Sequence, residues 1–256
     1  MKIGQVAAQL YTVRDHLKTP AGIAESLSKI EQIGYRAVQL ASAGGVGEEE
    51  MAKMLSDVGL ACPASHESSE RILSEPAAIA ERMRKLGCGY AVFPHPGGVK
   101  LDTLADVKGF AAKLNASGKV LREAGIMLAY HNHSTEFRRF DGRLMLEVLY
   151  DETDPRYVQA EIDTYWVQHG GGDPEDWCRR LKGRLPLLHL KDYVISSQGR
   201  PTFAEVGRGN LTWKPIIAAA EQSGCQWYTV EQDICPGDPF DSLRMSFEYI
   251  RDHLCS

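Results

Sequence analysis

Two hydrophobic periods alternate along this chain. Short runs in which nearly every residue is apolar give way to longer stretches with apolar residues three and four apart, and the cycle recurs. A first strand is predicted near Ile3 to Leu10, then a helix through Ala21 to Ile33 with Ile23, Leu27, Ile30 and Ile33 on one face. Gly34 ends that helix, and Tyr35 to Leu40 reads as the second strand. A helix near Gly47 to Val58 follows, with a third strand leading into Ser65-His66-Glu67. The next helix ends at Leu86-Gly87, and Gly89 to Phe93 is the fourth strand. The spacing then predicts a long helix through Val107 to Ala124 and shorter ones at Leu144 to Tyr150 and Pro174 to Leu181. The last two lie near Trp213 to Gln222 and Asp241 to Leu254.

Eight strand-helix units over 256 residues make about 32 residues each. Such alternation implies parallel strands, and eight units at this length predict an α/β fold, a single-domain (β/α)8 TIM barrel over residues 1–256. A doubly wound open sheet is the competitor, but no GxGxxG follows the first strand. The stretch from His189 to Leu211 breaks the pattern and reads as a long functional loop.

Four strands of the second half run from apolar residues into possible metal ligands. Ile126 to Tyr130 ends in His131-Asn132-His133, and Val158 to Ile162 ends in Asp163. Leu185 to Leu188 ends in His189, and Trp227 to Val230 ends in Glu231. Parallel strands closed into a barrel bring such ends to one rim, where barrel active sites are built. Oxygen and nitrogen donors gathered there suit one divalent ion: Mn, Co, Mg or Zn. Asp163, His189 and Glu231 are the first three candidates, while His131, His133 and Glu136 compete for the fourth position. Those left over could move protons. Lys191 shares the parity of His189 and could aim its ammonium at a substrate oxygen.

Further polar groups fall near the same rim: Gln9, Tyr11, Gln39, Ser65, His66, Glu67 and His95, with Arg208 in the long loop. Tyr11, Gln39, His66, His95, Trp166 and Arg208 are the expected substrate contacts, a set suited to a polyhydroxylated ligand. Phe93 and Phe137 could add apolar walls.

Composition narrows the classes. A net charge of -5 offers no broad basic surface for nucleic acid. No apolar stretch approaches the roughly 20 residues that cross a bilayer. Cytoplasmic residence is the expectation, and homo-oligomers are compatible with such a barrel. The six cysteines form no CxxC pair, so Cys62, Cys88 and Cys225 read as buried thiols, while Cys235 follows the Glu231 strand.

The segments Gln9-Leu10-Tyr11-Thr12-Val13-Arg14, Tyr130-His131-Asn132-His133, Ile162-Asp163-Thr164-Tyr165-Trp166, His189-Leu190-Lys191-Asp192, Val206 to Leu211 and Val230-Glu231-Gln232-Asp233 occur in that order. Together they resemble the xylose-isomerase-like barrel superfamily, in particular its sugar phosphate isomerase/epimerase branch. The resemblance implies a barrel with one divalent ion at the strand ends, held by Asp163, His189 and Glu231. Ketose epimerases of this superfamily place a glutamate fourth, and His131 stands there in this chain. The tyrosine-histidine run is similar to inosose dehydratases and to some keto-sugar lyases.

The resemblance implies removal of a proton alpha to a carbonyl, through a metal-stabilised enediolate. Glu231, His133, Glu136 and Lys191 are the expected catalytic groups. Reprotonation on carbon makes a sugar or sugar phosphate isomerase/epimerase, the leading expectation. Loss of a beta oxygen makes a dehydratase or lyase, the alternative. A non-catalytic sugar-binding barrel and an abasic-site endonuclease rank lower, because such nucleases use many histidines and basic loops, and this chain has eight histidines and an acidic balance.

Overall fold

A computed structural model describes residues 1–41 and 45–255, and within it the eight apolar runs form one parallel sheet. The barrel strands are β1 (Val6–Gln9), β2 (Ala37–Gln39), β3 (Ala64–His66), β4 (Tyr90–Phe93) and β5 (Met127–His131). Two short strands, β6 (Arg139–Phe140) and β7 (Arg143–Leu144), form a small hairpin beside β5 in the chain. The barrel resumes with β8 (Val158–Asp163) and β9 (Leu187–Leu190). A second hairpin, β10 (Asp192–Ile195) and β11 (Pro201–Ala204), precedes the last barrel strand, β12 (Trp227–Val230).

The sheet order is β2-β1-β12-β9-β8-β5-β4-β3. Single parallel bridges, Ala37 to Ala61 and Leu40 to Ser65, join its two edges. Backbone bonds such as His66 N to Leu40 O at 2.8 Å complete the closure, so among the described residues the two ends of the barrel sheet pair with each other. This is the eightfold barrel that the alternation of periods predicts.

The helices cover the outside because each carries one apolar face. The longest, Leu104–Glu123, buries Val107, Phe110, Leu114 and Leu121. Thr103 caps its start: its hydroxyl accepts from Asp106 N at 3.1 Å, and the Asp106 carboxylate accepts from Thr103 N at 2.9 Å. A cap of this kind contributes about 1 kcal/mol. Gly34 closes the helix Pro20–Ile33 at φ 125°, where a Cβ would stand 2.5 Å from the Phe247 ring. Only glycine fits both the conformation and the contact.

Two expectations change. The first strand is shorter than Ile3 to Leu10, because 3-10 turns at Ile3–Gln5 and Leu10–His16 bracket β1. The span from His189 to Leu211 is not a plain loop, since β10 and β11 pair across it as an antiparallel hairpin.

Inside the barrel, alternation decides the contents. Ala64, Val92, Ala129 and Leu187 form a small apolar plug at the lower end. Two residues further along β3, β5 and β9, the same inward parity carries His66, His131 and His189. The polar layer therefore sits directly on the plug.

Candidate metal centre

Four side chains from neighbouring strands meet above the plug. His131, Asp163, His189 and Glu231 each place one ligand atom within 4.8 Å of all the others, and all four are buried. Asp163 Oδ2 lies 3.7 Å from His131 Nε2 and 3.9 Å from His189 Nδ1. His189 Nδ1 lies 3.1 Å from Glu231 Oε2. Atoms bound at about 2.1 Å to one ion stand up to about 4.2 Å apart, so these separations fit a shared cation.

Asp163 adds the decisive sign. Its Oδ1 accepts from Trp166 N at 3.0 Å, while the buried Oδ2 has no hydrogen-bond partner. A lone buried carboxylate oxygen is costly unless a cation or proton meets it. Burial accordingly pushes the Asp163 carboxyl up to about 7, against the pull of Lys191 and His189.

A second set, His66, His131, Glu161 and His189, is as tightly gathered. Its atoms are already matched as donors and acceptors. Glu161 Oε2 lies 2.7 Å from His66 Nε2, 3.0 Å from His131 Nδ1 and 3.3 Å from His189 Nε2. The upper set, with its unmatched Asp163 oxygen, is the better cation site.

Lys191 sits beside it, buried. Its Nζ lies 3.0 Å from Glu231 Oε2, 3.5 Å from Asp163 Oδ2 and 2.6 Å from Asp233 Oδ1. Burial opposes its charge, yet the carboxylates of Glu231, Asp163 and Asp233 outweigh that and raise its pKa. The Trp166 and Phe203 rings lie 5.3 and 5.4 Å from the ammonium.

A cavity of about 600 Å³ opens over this group, bounded by Tyr11, His66, His95, His133, Lys191 and Glu231 among others. A second, of about 630 Å³, adjoins it through His95, Gly97 and His133 and has Trp166 and Arg138 in its wall.

The comparisons with known proteins agree with this architecture. The family described as Xylose isomerase-like TIM barrel matches residues 27–253. The chain belongs to that family.

Among its relatives is an inosose dehydratase of Geobacillus kaustophilus (strain HTA426), 24% identical over 266 residues, covering 88% of this chain and 85% of that protein. A solved sugar phosphate isomerase/epimerase from Parabacteroides distasonis superposes with a TM-score of 0.86 at 23% identity, over 98% of this chain and 94% of that one. An L-ribulose 3-epimerase structure matches with a TM-score of 0.76 at 14% identity, over 98% and 94%.

Within this xylose isomerase-like barrel, the expected site residues divide. His131, Asp163, His189, Glu231 and Lys191 converge, and His133, His66, Tyr11 and His95 line the cavity above them. Trp166 lines the adjoining one, its ring 5.1 Å from that of His133. Gln39 lies deeper than a substrate contact, because its amide is committed at both ends: Nε2 donates to Glu161 Oε1 at 2.6 Å, and Oε1 accepts from His189 Nε2 at 2.7 Å.

Glu136 is not brought to the group. Its carboxylate accepts from Tyr130 Oη at 2.8 Å, His133 N at 2.9 Å and Thr135 Oγ1 at 2.9 Å. Tyr130 has outward parity on β5, so Glu136 packs behind the barrel wall. Arg208 is exposed, and only its backbone N, bonded to Glu205 O at 2.8 Å, is tied down. Phe93 packs on Phe110 and Tyr130, and Phe137 on Trp177, so neither walls the cavity.

Three residues escaped the sequence reading. Glu161 stands two positions before Asp163 on β8, and that parity was the available signal. Asn132 accepts from Asp163 N at 3.0 Å and ties the ends of β5 and β8 together. Asp192 organises the segment after the β10–β11 hairpin. Its Oδ2 accepts from Gly207 N, Gly209 N and Trp213 Nε1 at 3.0, 3.2 and 2.8 Å, and its Oδ1 from Leu211 N at 3.2 Å. A Cβ on Gly209 would stand 2.3 Å from Asp192 Oδ1, so glycine is required at that approach.

Proposed function

We propose that this barrel is a divalent-metal-dependent enzyme that removes the proton alpha to a carbonyl of a polyhydroxylated substrate and returns it to carbon. It is thus a sugar or sugar phosphate isomerase/epimerase. The observation that carries the reading is the buried Asp163 Oδ2, which makes no hydrogen bond and faces His131, His189 and Glu231 beneath a cavity of about 600 Å³, with the Lys191 ammonium 3.5 Å away.

His131, Asp163, His189 and Glu231 would hold the ion, as Mn, Co, Mg or Zn. When bound, it supplies a Lewis acid that polarises the carbonyl and lowers the pKa of the neighbouring C–H. Glu231 lines the cavity and stays ionised, because Lys191 and His189 hold it well below the usual carboxylate range despite burial. It is the base. His133 faces the same cavity as a neutral imidazole, pushed down to about 3 by burial and by Lys191, and can hydrogen-bond a substrate hydroxyl. The Lys191 ammonium balances negative charge as it grows on the substrate oxygen. His66, Tyr11 and His95 orient hydroxyls, and Trp166 gives an apolar wall.

A dehydratase is the second reading, favoured by His131. Its Nδ1 is engaged by Glu161 and its Nε2 faces Asp163, so it offers no free group to match Glu231 from the opposite face. The similarity to an inosose dehydratase over 88% of the chain points the same way.

Manganese- or cobalt-loaded protein incubated with ketoses, their phosphates and inososes in deuterated water tests both. Deuterium on the carbon next to the carbonyl, with the substrate otherwise intact, supports the isomerase. A product short of one water supports the dehydratase. Neither exchange nor dehydrated product with any substrate or metal would defeat both.

A further inference from the structure

We propose that Glu161 is the positioning residue of the metal centre: one buried carboxylate that sets which nitrogen of both ligand histidines faces the ion. The inference rests on the metal-centre reading given above.

An ionised carboxylate offers only lone pairs, so each ring nitrogen that meets it must carry a proton. Glu161 Oε1 accepts from Gln39 Nε2 at 2.6 Å, and its Oε2 faces the ring nitrogens of His66, His131 and His189, so donors surround the carboxylate. His131 meets it through Nδ1 at 3.0 Å, which leaves Nε2 to face Asp163. His189 turns Nε2 toward it at 3.3 Å, and its Nδ1 faces Asp163 and Glu231, where an ion would take the place of the proton now shared with Glu231 Oε2 at 3.1 Å. The two imidazoles therefore use opposite nitrogens toward the same point. Neither choice follows from β5 or β9 alone, and Glu161, joined on the His189 side by the Gln39 amide that it orients, accounts for both.

Gln39 locks the arrangement. Its Nε2 donates to Glu161 Oε1 at 2.6 Å, so its Oε1 is the end presented to His189 Nε2, at 2.7 Å. An oxygen there demands a second time that Nε2 be protonated. His66 Nε2 donates to Glu161 Oε2 at 2.7 Å and links this layer to the cavity. Glu161 itself is fully buried and touches no substrate space. Its effect passes through the histidines, as with carboxylates that orient metal-bound imidazoles elsewhere.

Equilibrium dialysis of manganese against the wild-type protein, E161Q, E161D and D163N tests this. Glutamine conserves volume but turns an N–H toward one of the ring nitrogens. The expected result is a 10- to 100-fold weaker manganese affinity in E161Q. E161D, which keeps the carboxylate, recovers part of the loss, and D163N binds no manganese. An E161Q affinity within about threefold of wild type overturns the role of Glu161 and leaves the metal reading standing. Retained binding in D163N with none in E161Q also overturns it, because Glu161 would then be a ligand. A wild-type protein that binds no manganese defeats the metal reading and this inference together.

Ring nitrogen NMR of the zinc-loaded wild type supplies a readout that needs no variant to fold. Protonated Nδ1 on His131 and protonated Nε2 on His189 are expected, and the opposite tautomer on either overturns the proposal.

Discussion

Lys191 Nζ lies 3.0 Å from Glu231 Oε2, with both groups buried at the mouth of the barrel. A cation so placed competes with the ion that the same carboxylate would hold. The prediction is that K191M binds manganese several-fold more tightly while turnover falls by about 10²-fold or more, since the charge that steadies the reacting oxygen is gone. Metal-free K191M should melt earlier, because Glu231 and Asp233 lose their partner, and manganese should restore it. Manganese affinity and single-turnover rates measured side by side check this, and weaker binding together with unchanged turnover refutes it.

Metal and fold stability should be linked through Asp163. An ion that binds only the folded state stabilises it by about 2.7 kcal/mol when present at about 100 times its Kd. Chelation should therefore lower the melting temperature of wild type reversibly. D163N, which removes the charge facing His131 and His189, should melt at one temperature with or without the ion. A metal-dependent shift in D163N equal to that of wild type would place the ion elsewhere.

His133 gives a prediction in pH. Burial, and then Lys191, lower its pKa to about 3 from an unfolded value of about 6.5. Between those values the unfolded chain binds more protons than the folded one, so stability rises with pH across the window and is lost as pH falls toward about 3. In H133Q the metal-free protein should show a shallower dependence of melting temperature from about pH 4 to about 6.5. The remaining slope is shared by His131, lowered by the same burial, and by Asp163, raised to about 7, which acts in the opposite sense. Identical slopes in the two proteins would show that His133 is not held neutral.

Asp192 should matter more than its place beside a hairpin suggests. Asp192→Ala leaves Gly207 N, Gly209 N, Leu211 N and Trp213 Nε1 without their acceptor. Buried donors left unmet cost about 1–3 kcal/mol each, partly recovered by water, so a loss of about 3 kcal/mol is expected in urea unfolding. The segment from Gly207 to Leu211 should loosen as well, seen as faster amide hydrogen exchange there. Stability within about 0.5 kcal/mol of wild type would contradict this account.

The eight barrel strands and their helices were readable because apolar periods of two and about 3.6 are local properties of the chain. His131, Asp163, His189 and Glu231 were readable for a related reason, since each stands at the end of an apolar run. Glu136 misled because it is near His133 in sequence but belongs to the opposite parity, against Tyr130. The pairing of Asp192–Ile195 with Pro201–Ala204 was hidden because the apolar pattern breaks in this stretch and offers no strand period. Among the described residues, no helix is long and apolar enough to cross a membrane, in keeping with the hydropathy of the chain.

Local pattern thus settles which runs become barrel strands, which residues face inward and which chemistry reaches the rim. It says nothing of depth, because a glutamate two residues back on the same face looks equivalent to any other inward residue. Closure of the cylinder supplies that depth. It sets Glu161 and Gln39 beneath the histidines, leaves one oxygen of Asp163 without a hydrogen bond above them, and drives Lys191 among the carboxylates of Glu231, Asp163 and Asp233. These relations join strands far apart in the chain, and side-chain reach across the barrel axis, not sequence spacing, decides them.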